Sequence, residues 1–107
     1  MYKNWPAMPT VFSNLPSTIE EAAERLYLVL TLENLVAIKN MRKDNLPVLG
    51  FTLGLEIYEA IRVHNPINFM TLNGRTVDYL YAPSAIVEEL WQQLQDRELA
   101  EFDATNH

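Results

Sequence analysis

The side chains whose types could do chemistry are few and widely spaced in this chain of 107 residues. Its two histidines are His64, at the predicted end of a helix, and His107, the last residue, and it has no cysteine. A histidine at a helix end more often donates to the last carbonyls and meets the helix dipole than it acts as a base or a metal ligand. We therefore expect no metal site, no catalytic residue and no cofactor.

Glu56, Glu59 and Arg62 form a charged group whose spacing on a helix could bind a cation or move a proton. More often such a trio is a solvated helix face, whose ion pair contributes roughly 0.3 kcal/mol. The chain's three glycines have neither the spacing nor the strand-to-helix context of a phosphate-binding loop. The sequence therefore predicts a protein that is not an enzyme.

Composition places the chain among globular proteins. With 49% hydrophobic and 21% charged residues, it resembles neither a disordered nor a fibrous protein. Its apolar runs are shorter than the roughly 20 residues of a membrane helix. Prolines interrupt the N-terminal segment before an apolar run typical of a signal peptide develops. Since the lack of cysteine gives no sign of an oxidising compartment, we expect a cytoplasmic protein.

The charge is acidic and concentrated in the last quarter of the chain. Fourteen acidic and eight basic side chains give a net charge of -6. Residues 84–107 hold six of the acids and one of the bases. Such a charge repels nucleic acid and anionic lipid, so we expect neither as a partner. The acidic residues are either a solvated helix face or a surface that steers a basic protein partner.

The spacing of apolar residues predicts a mainly α fold, with about four helices around a central helix at 46–64. The first helix begins at Ser17 or Thr18, each three residues before a glutamate as in a capping box. Thr31 can cap a second helix, unless the two run on with a kink. The segment 46–64 is apolar round much of its circumference, which is typical of the most buried helix. A last helix begins near Pro83.

A small β-hairpin is predicted near 68–80. Asn73-Gly74, between residues of high strand propensity, is typical of a type I′ turn, whose two positions need positive φ. In that register Met70 lies opposite Val77. The alternative is a compact loop, because an isolated hairpin is marginally stable. The predicted domain organisation is an extended aromatic and proline-rich arm at 1–16, a single helical domain at 17–102 and a frayed tail at 103–107.

Aromatic side chains carry the leading functional prediction. Tyrosine and tryptophan dominate the hot spots of protein interfaces, and those of the arm and of residues 79–81 are least accounted for by helical stripes. We expect a non-enzymatic binding protein of inhibitor, immunity or phage anti-defence type that occludes a protein partner. The predicted partner-binding residues are Tyr2, Trp5, Phe12, Tyr79, Tyr81, Glu88 and Glu89.

The alternative is a protein that binds or sequesters a nucleotide or metabolite, and that is a homo-oligomer if dimerisation closes the pocket. Gly50 and Gly54 lie one turn apart in the predicted helix, where each costs about 1 kcal/mol relative to alanine. Close approach of another helix or of the arm would offset this cost, and so would a ligand against the backbone. The predicted pocket residues are Gly50, Gly54, Tyr58 and His64.

Three motifs stand in a recognisable order: Pro16-Ser-Thr-Ile-Glu-Glu-Ala22, Leu53-Gly-Leu55 and Leu90-Trp91. Together they resemble a small bacterial domain family of unknown function, over roughly residues 16–95. The chain departs from the family pattern at Leu55, where a second glycine would stand, and in the composition of 67–81. The resemblance implies a helical architecture and carries no activity, because the family has no assigned catalytic residues.

Overall fold

The fold is built mainly from helices. The computed structural model describes residues 18–64, 70–72, 74–77 and 81–97. Its elements in chain order are α1 (Ile19–Val29), α2 (Leu32–Lys39), a 3₁₀ helix (Lys43–Phe51), α3 (Leu53–His64), β1 (Met70–Leu72), β2 (Arg75–Val77) and α4 (Ala82–Gln95). The mainly α prediction is thereby confirmed. The predicted arm at 1–16 and tail at 103–107 lie outside the described residues.

Threonine side chains cap the N-termini of the first two helices. The Glu21 N–H donates to Thr18 Oγ1 at 3.0 Å, and the Asn34 N–H donates to Thr31 Oγ1 at 3.1 Å. Each bond satisfies an N–H that has no partner within its helix. Leu30 is extended, with φ -72° and ψ 149°, and it ends α1. The first two helices are therefore separate, rather than one helix with a kink.

The segment predicted as one helix at 46–64 is divided into the 3₁₀ helix and α3. Pro47 has no N–H to donate and disfavours α geometry at the residue before it. At Thr52 the backbone leaves helical geometry, with φ -127° and ψ -87°. The Thr52 N–H and hydroxyl both donate to the Leu49 carbonyl, at 3.1 and 3.3 Å. The segment is helical on both sides of Thr52, as predicted, but its helix type changes there.

Helix α4 occupies the central position that the sequence suggested for 46–64. It packs against α1, α2, α3 and the 3₁₀ helix, and most extensively against α1. Two alanines of α1, Ala22 and Ala23, are fully buried and allow the two helices to approach closely. The buried face of α4 consists of Ala82, Pro83, Ile86, Val87, Leu90 and Leu94. The mainly helical fold is as expected, but the helix at its centre is α4 and not the segment at 46–64.

Lys39 joins the C-terminal ends of α2 and α4. Its Nζ donates to the carbonyls of Leu94 and Arg97, each at 2.6 Å. The last carbonyls of a helix have no donor within the helix, so a cation there satisfies them and complements the dipole. Lys39, Arg42 and Lys43 are close together in sequence at the end of α2, where a basic cluster ordinarily complements the dipole of its own helix. In the structure Lys39 caps α4, while the other two side chains pair with Asp44 and Glu88.

Side chains of α4 in turn donate hydrogen bonds to carbonyls at the C-terminal end of α2. Gln95 Nε2 donates to the Lys39 carbonyl at 2.9 Å, and Trp91 Nε1 donates to the Met41 carbonyl at 2.9 Å. Carbonyls at the end of α2 are therefore satisfied by side chains of α4, as those of α4 are satisfied by Lys39. We call this reciprocal set of bonds the helix-end contact.

Arg97, just after α4, ties that end of the helix to α1. Its guanidinium lies 2.6 Å from Glu24 Oε1 and 3.9 Å from the centroid of the Tyr27 ring. Interaction with the Tyr27 side chain raises the pKa of Arg97, partial desolvation lowers it and the Glu24 carboxylate raises it again. The net shift is upward, so the guanidinium keeps its charge in both interactions.

The hairpin forms in the predicted register. β1 and β2 are antiparallel, with Met70 opposite Val77 and Leu72 opposite Arg75. Gly74 has φ +81°, a backbone conformation that costs a residue with a Cβ about 1 kcal/mol. Packing of β1 against α1 supplies the support that an isolated hairpin lacks.

Candidate functional site

A pocket of about 300 Å³ lies between the 3₁₀ helix and the first half of α4. Leu46 and Val87 belong to the buried core, whereas Ser84 and Glu88 are exposed, so the pocket connects the core with the surface. Its described lining residues are Lys43, Leu46, Pro47, Gly50, Ser84, Val87 and Glu88.

The 3₁₀ helix forms one wall of the pocket because of its three-residue period. Side chains three apart in such a helix lie in one row. Leu46 and Leu49 form the row that is buried in the core. Pro47 and Gly50, one residue further along, form the adjacent row, and they line the pocket together with Lys43 and Leu46. A proline and a glycine project little volume, and this leaves the space beside α4 open.

Opposite charges stand on the two walls of the pocket. Lys43 Nζ, on the 3₁₀ helix, lies 3.5 Å from Glu88 Oε2, on α4. Both side chains are exposed, so solvent screens the pair and it contributes little to stability. An incoming charged group can therefore compete for either side chain at small cost.

The predicted partner-binding residues separate into three groups. Tyr2, Trp5, Phe12 and Tyr79 lie outside the described residues. Tyr81 is the N-cap of α4 and is 69% exposed. Glu88, seven residues later, is also exposed. Since residues seven apart lie on one side of a helix, Tyr81 and Glu88 share the solvent face of α4.

Glu89 belongs to a different side of α4. It is half-buried, and its Oε2 accepts a hydrogen bond of 3.4 Å from Gln93 Nε2. Gln93 Nε2 also lies 3.3 Å from the carbonyl of Glu20 in α1. Glu89 therefore lies on the flank of α4 next to α1, away from the face that carries Tyr81.

Of the predicted ligand-binding residues whose side chains are described, Gly50 lines the pocket and the others do not. The residues that do not line it are Gly54 and Tyr58. His64 is the last residue of α3, and its side chain lies outside the described part of the structure. The reason is the break at Thr52, which removes the one-turn spacing that a continuous helix would give the two glycines.

The sequence analysis expected another part of the chain to approach both Gly50 and Gly54 closely. Among the described residues, such an approach is found only at Gly54. A Cβ at Gly50 would meet no described atom within 4 Å, as its position beside the pocket requires. A Cβ at Gly54 would lie 3.4 Å from the Leu49 carbonyl oxygen. The element close to Gly54 is thus the preceding 3₁₀ helix, whereas the sequence suggested another helix or the arm.

Sequence reasoning missed three exposed apolar side chains between residues 48 and 55. Val48, Phe51 and Leu55 were assigned to a buried helix, but they are 56%, 78% and 55% exposed. The signal that could have found them is the run of Pro47, Gly50 and Gly54, which opposes a continuous α-helix.

The described residues include no group of three or more His, Cys, Asp or Glu side chains that could hold a metal ion. In the same part of the chain, every helix is too short or too polar to cross a bilayer. No family model, curated protein or solved structure matches the chain. The resemblance to a bacterial domain family of unknown function therefore stays a prediction.

Proposed function

We propose that this chain is a small acidic binding protein without catalytic activity, of inhibitor, immunity or phage anti-defence type. It acts in the cytoplasm by covering the functional surface of a protein partner. The observation that carries the proposal is Tyr81, a large aromatic side chain that is 69% exposed at the start of α4.

An exposed tyrosine on a rigid element is suited to binding. Tyr81 is held at the start of α4, the helix that contacts every other helix described. Tyrosine supplies a large contact area and a hydroxyl group at low cost in side-chain entropy, and it is enriched in interface hot spots. The backbone under Tyr81 needs no reordering when a partner arrives, which favours affinity.

Charge indicates the chemistry of the partner. The whole chain has a net charge of -6, so its overall field attracts a basic surface even though Lys43 pairs with Glu88 on the face of α4 that carries Tyr81. This overall charge speeds encounter with a basic surface and disfavours acidic competitors. Many basic protein surfaces are themselves sites for nucleic acid, and an acidic protein bound there would exclude it. We therefore propose a partner with a basic functional surface.

The test is capture of the tagged chain from a lysate of its host, or of phage-infected host cells, followed by native mass spectrometry of the intact complex. We expect one stoichiometric protein companion. The variant Tyr81→Ala removes the aromatic anchor and should reduce the captured companion at least tenfold, since an interface hot spot contributes about 2 kcal/mol or more.

Leu28→Ala is the matched control for Tyr81→Ala. Leu28 lies in α1 and is 71% exposed, so its truncation removes a similar exposed apolar surface elsewhere. Capture should be unchanged in this control. A companion whose capture survives Tyr81→Ala, or the recovery of nothing besides this chain, would contradict the proposal.

A second candidate function is binding of a small metabolite or nucleotide, favoured by the pocket of about 300 Å³ that Gly50 lines. Its size is at the lower end of the range of ligand sites. A metabolite library is tested by thermal shift, because a ligand at a hundred times its Kd adds about 2.7 kcal/mol to the free energy of unfolding. The shift should disappear in Gly50→Trp, whose side chain fills the pocket. A library that gives no shift would remove this candidate.

A further inference from the structure

Phe51 and the pocket are two complementary features on neighbouring sides of the 3₁₀ helix. Phe51 is 78% exposed, and Val48, three residues earlier, lies in the same row and is 56% exposed. Gly50, in the adjacent row, lines the pocket. One short helix thus carries both a projecting aromatic side chain and an apolar space of its own.

We propose that a second copy of this chain occupies the pocket. The two copies are related by a two-fold axis beside the 3₁₀ helix, and Phe51 of each enters the pocket of the other. A two-fold interface requires that the projecting group and its receptor both lie on one surface of the same chain. Phe51 directly follows Gly50 in the 3₁₀ helix, so the ring and the pocket lie on adjoining sides of one short element and a single interface patch can include both.

The volume of the pocket is sufficient for a phenyl ring. An apolar cavity of about 150 Å³ is known to accept benzene, and the pocket of about 300 Å³ is larger. Leu46, Pro47 and Val87 supply apolar lining for the ring. Entry of the ring would remove the exposed surface of Phe51 from water and fill a space that borders the core.

Charge favours a second copy over a basic or an acidic partner at this surface. The chain as a whole carries -6, so two copies repel each other in most orientations. Around the pocket, however, Arg42 and Lys43 balance Asp44 and Glu88. In a two-fold arrangement Lys43 of one copy can approach Glu88 of the other. The surface beside Phe51 is therefore locally neutral and self-complementary.

The inference does not depend on the proposed function, because it needs no other protein. Its first test is the mass of the purified full chain by sedimentation velocity, across a concentration series from low to high micromolar. We expect a reversible dimer of twice 12.4 kDa. A chain that is monomeric throughout the series would overturn the inference.

Two variants then address the two halves of the interface. Phe51→Asp removes the projecting ring, and Gly50→Trp fills the pocket at a position where an added Cβ meets no described atom within 4 Å. Preventing one ring from entering its pocket weakens association about tenfold or more, and both copies of a variant carry the change. Either variant should therefore raise the dimer Kd by about 100-fold. Circular dichroism confirms that each variant remains folded.

Leu28→Asp is the control for Phe51→Asp, because it places the same charge on a side chain that is 71% exposed in α1, away from the pocket. It should dimerise like the wild type. The inference would be overturned if Leu28→Asp raised the dimer Kd as much as Phe51→Asp does. It would also be overturned if neither Phe51→Asp nor Gly50→Trp raised the dimer Kd.

A mixture of the two variants gives the sharpest test. A Phe51→Asp chain keeps its pocket, and a Gly50→Trp chain keeps its phenyl ring. A mixed dimer therefore retains one ring inside a pocket, while a dimer of either variant alone retains none. The mixed dimer should form with a Kd about tenfold above that of the wild type. Two variants that remain monomeric when mixed would show that Phe51 and the pocket do not meet.

Discussion

The contact between α1 and α4 and the segment at 42–55 use their apolar residues in opposite ways. Where α1 meets α4, apolar side chains such as Leu26 and Leu90 are fully buried. In the segment at 42–55, Phe51 and Leu55 are exposed, and Gly50 lines an open pocket. The first region contributes stability, whereas the second adds Leu46, Leu49 and Leu53 to the core and also keeps apolar surface available. A small domain can leave the second region incompletely packed because the first is well packed.

The largest expected effect contrasts a buried leucine with an exposed one. Leu90→Ala leaves a cavity in the centre of α4, where the side chain is 0% exposed, and should lower the free energy of unfolding by about 2–5 kcal/mol. Leu55→Ala makes the same chemical change in the segment at 42–55 and should lower it by less than about 1 kcal/mol. Chemical denaturation measures both. Equal decreases would show that Leu55 is buried in solution.

The next effect concerns the helix-end contact. Lys39→Met removes the two hydrogen bonds from Nζ to the carbonyls of Leu94 and Arg97 but keeps most of the apolar stem. Because charge-assisted bonds are stronger than neutral ones and these are partly solvated, we expect the free energy of unfolding to fall by about 1–2 kcal/mol. The control Arg42→Met alters an exposed ion pair and should change stability by less than about 0.5 kcal/mol. A control that is destabilised as much as Lys39→Met would contradict this role.

The two remaining predictions concern glycines, with opposite signs. Gly74→Ala forces an alanine to adopt φ +81° and should destabilise the protein by about 1 kcal/mol. Thermal unfolding monitored by circular dichroism should show a lower Tm. An unchanged Tm would mean that the turn relaxes to a conformation with negative φ.

Gly50→Ala should stabilise the protein by up to about 1 kcal/mol, because alanine favours helical geometry and its Cβ meets no described atom. Gly54→Ala places a Cβ 3.4 Å from the Leu49 carbonyl oxygen, so its increase in stability should be smaller. The same thermal unfolding experiment compares the two variants. A larger increase in Tm for Gly54→Ala than for Gly50→Ala would contradict the closer packing that the structure shows at Gly54.

Features set by neighbouring residues could be predicted from the sequence. The Thr18 and Thr31 caps each need a hydroxyl and an N–H three residues later, and the hairpin register follows from the two-residue turn that contains Gly74. The apolar stripe of α4 follows from its helical spacing in the same way. In each case the interaction is complete within a few residues of the chain.

Features set by distant residues could not be predicted. Lys39 is adjacent to its own helix end in sequence, yet its acceptors are on α4. The pocket combines Gly50 with Val87, and no local pattern relates these positions. Phe51 was assigned to a buried helix because its spacing fits one, while Pro47 and Gly50 oppose that helix. Where propensity and apolar spacing disagree in this way, tertiary packing decides the outcome.

The helix-end contact has a consequence for how the chain can fold as it is synthesised. The carbonyl groups that Lys39 binds lie 55 and 58 positions further along the chain. Until residues 82–97 have been added, the first three α-helices lack the complete central helix and this set of bonds. Such long-range contacts delay folding until most of the chain is available. We therefore expect the described helices to fold in a single cooperative step once α4 is available, rather than one helix at a time as the chain is synthesised.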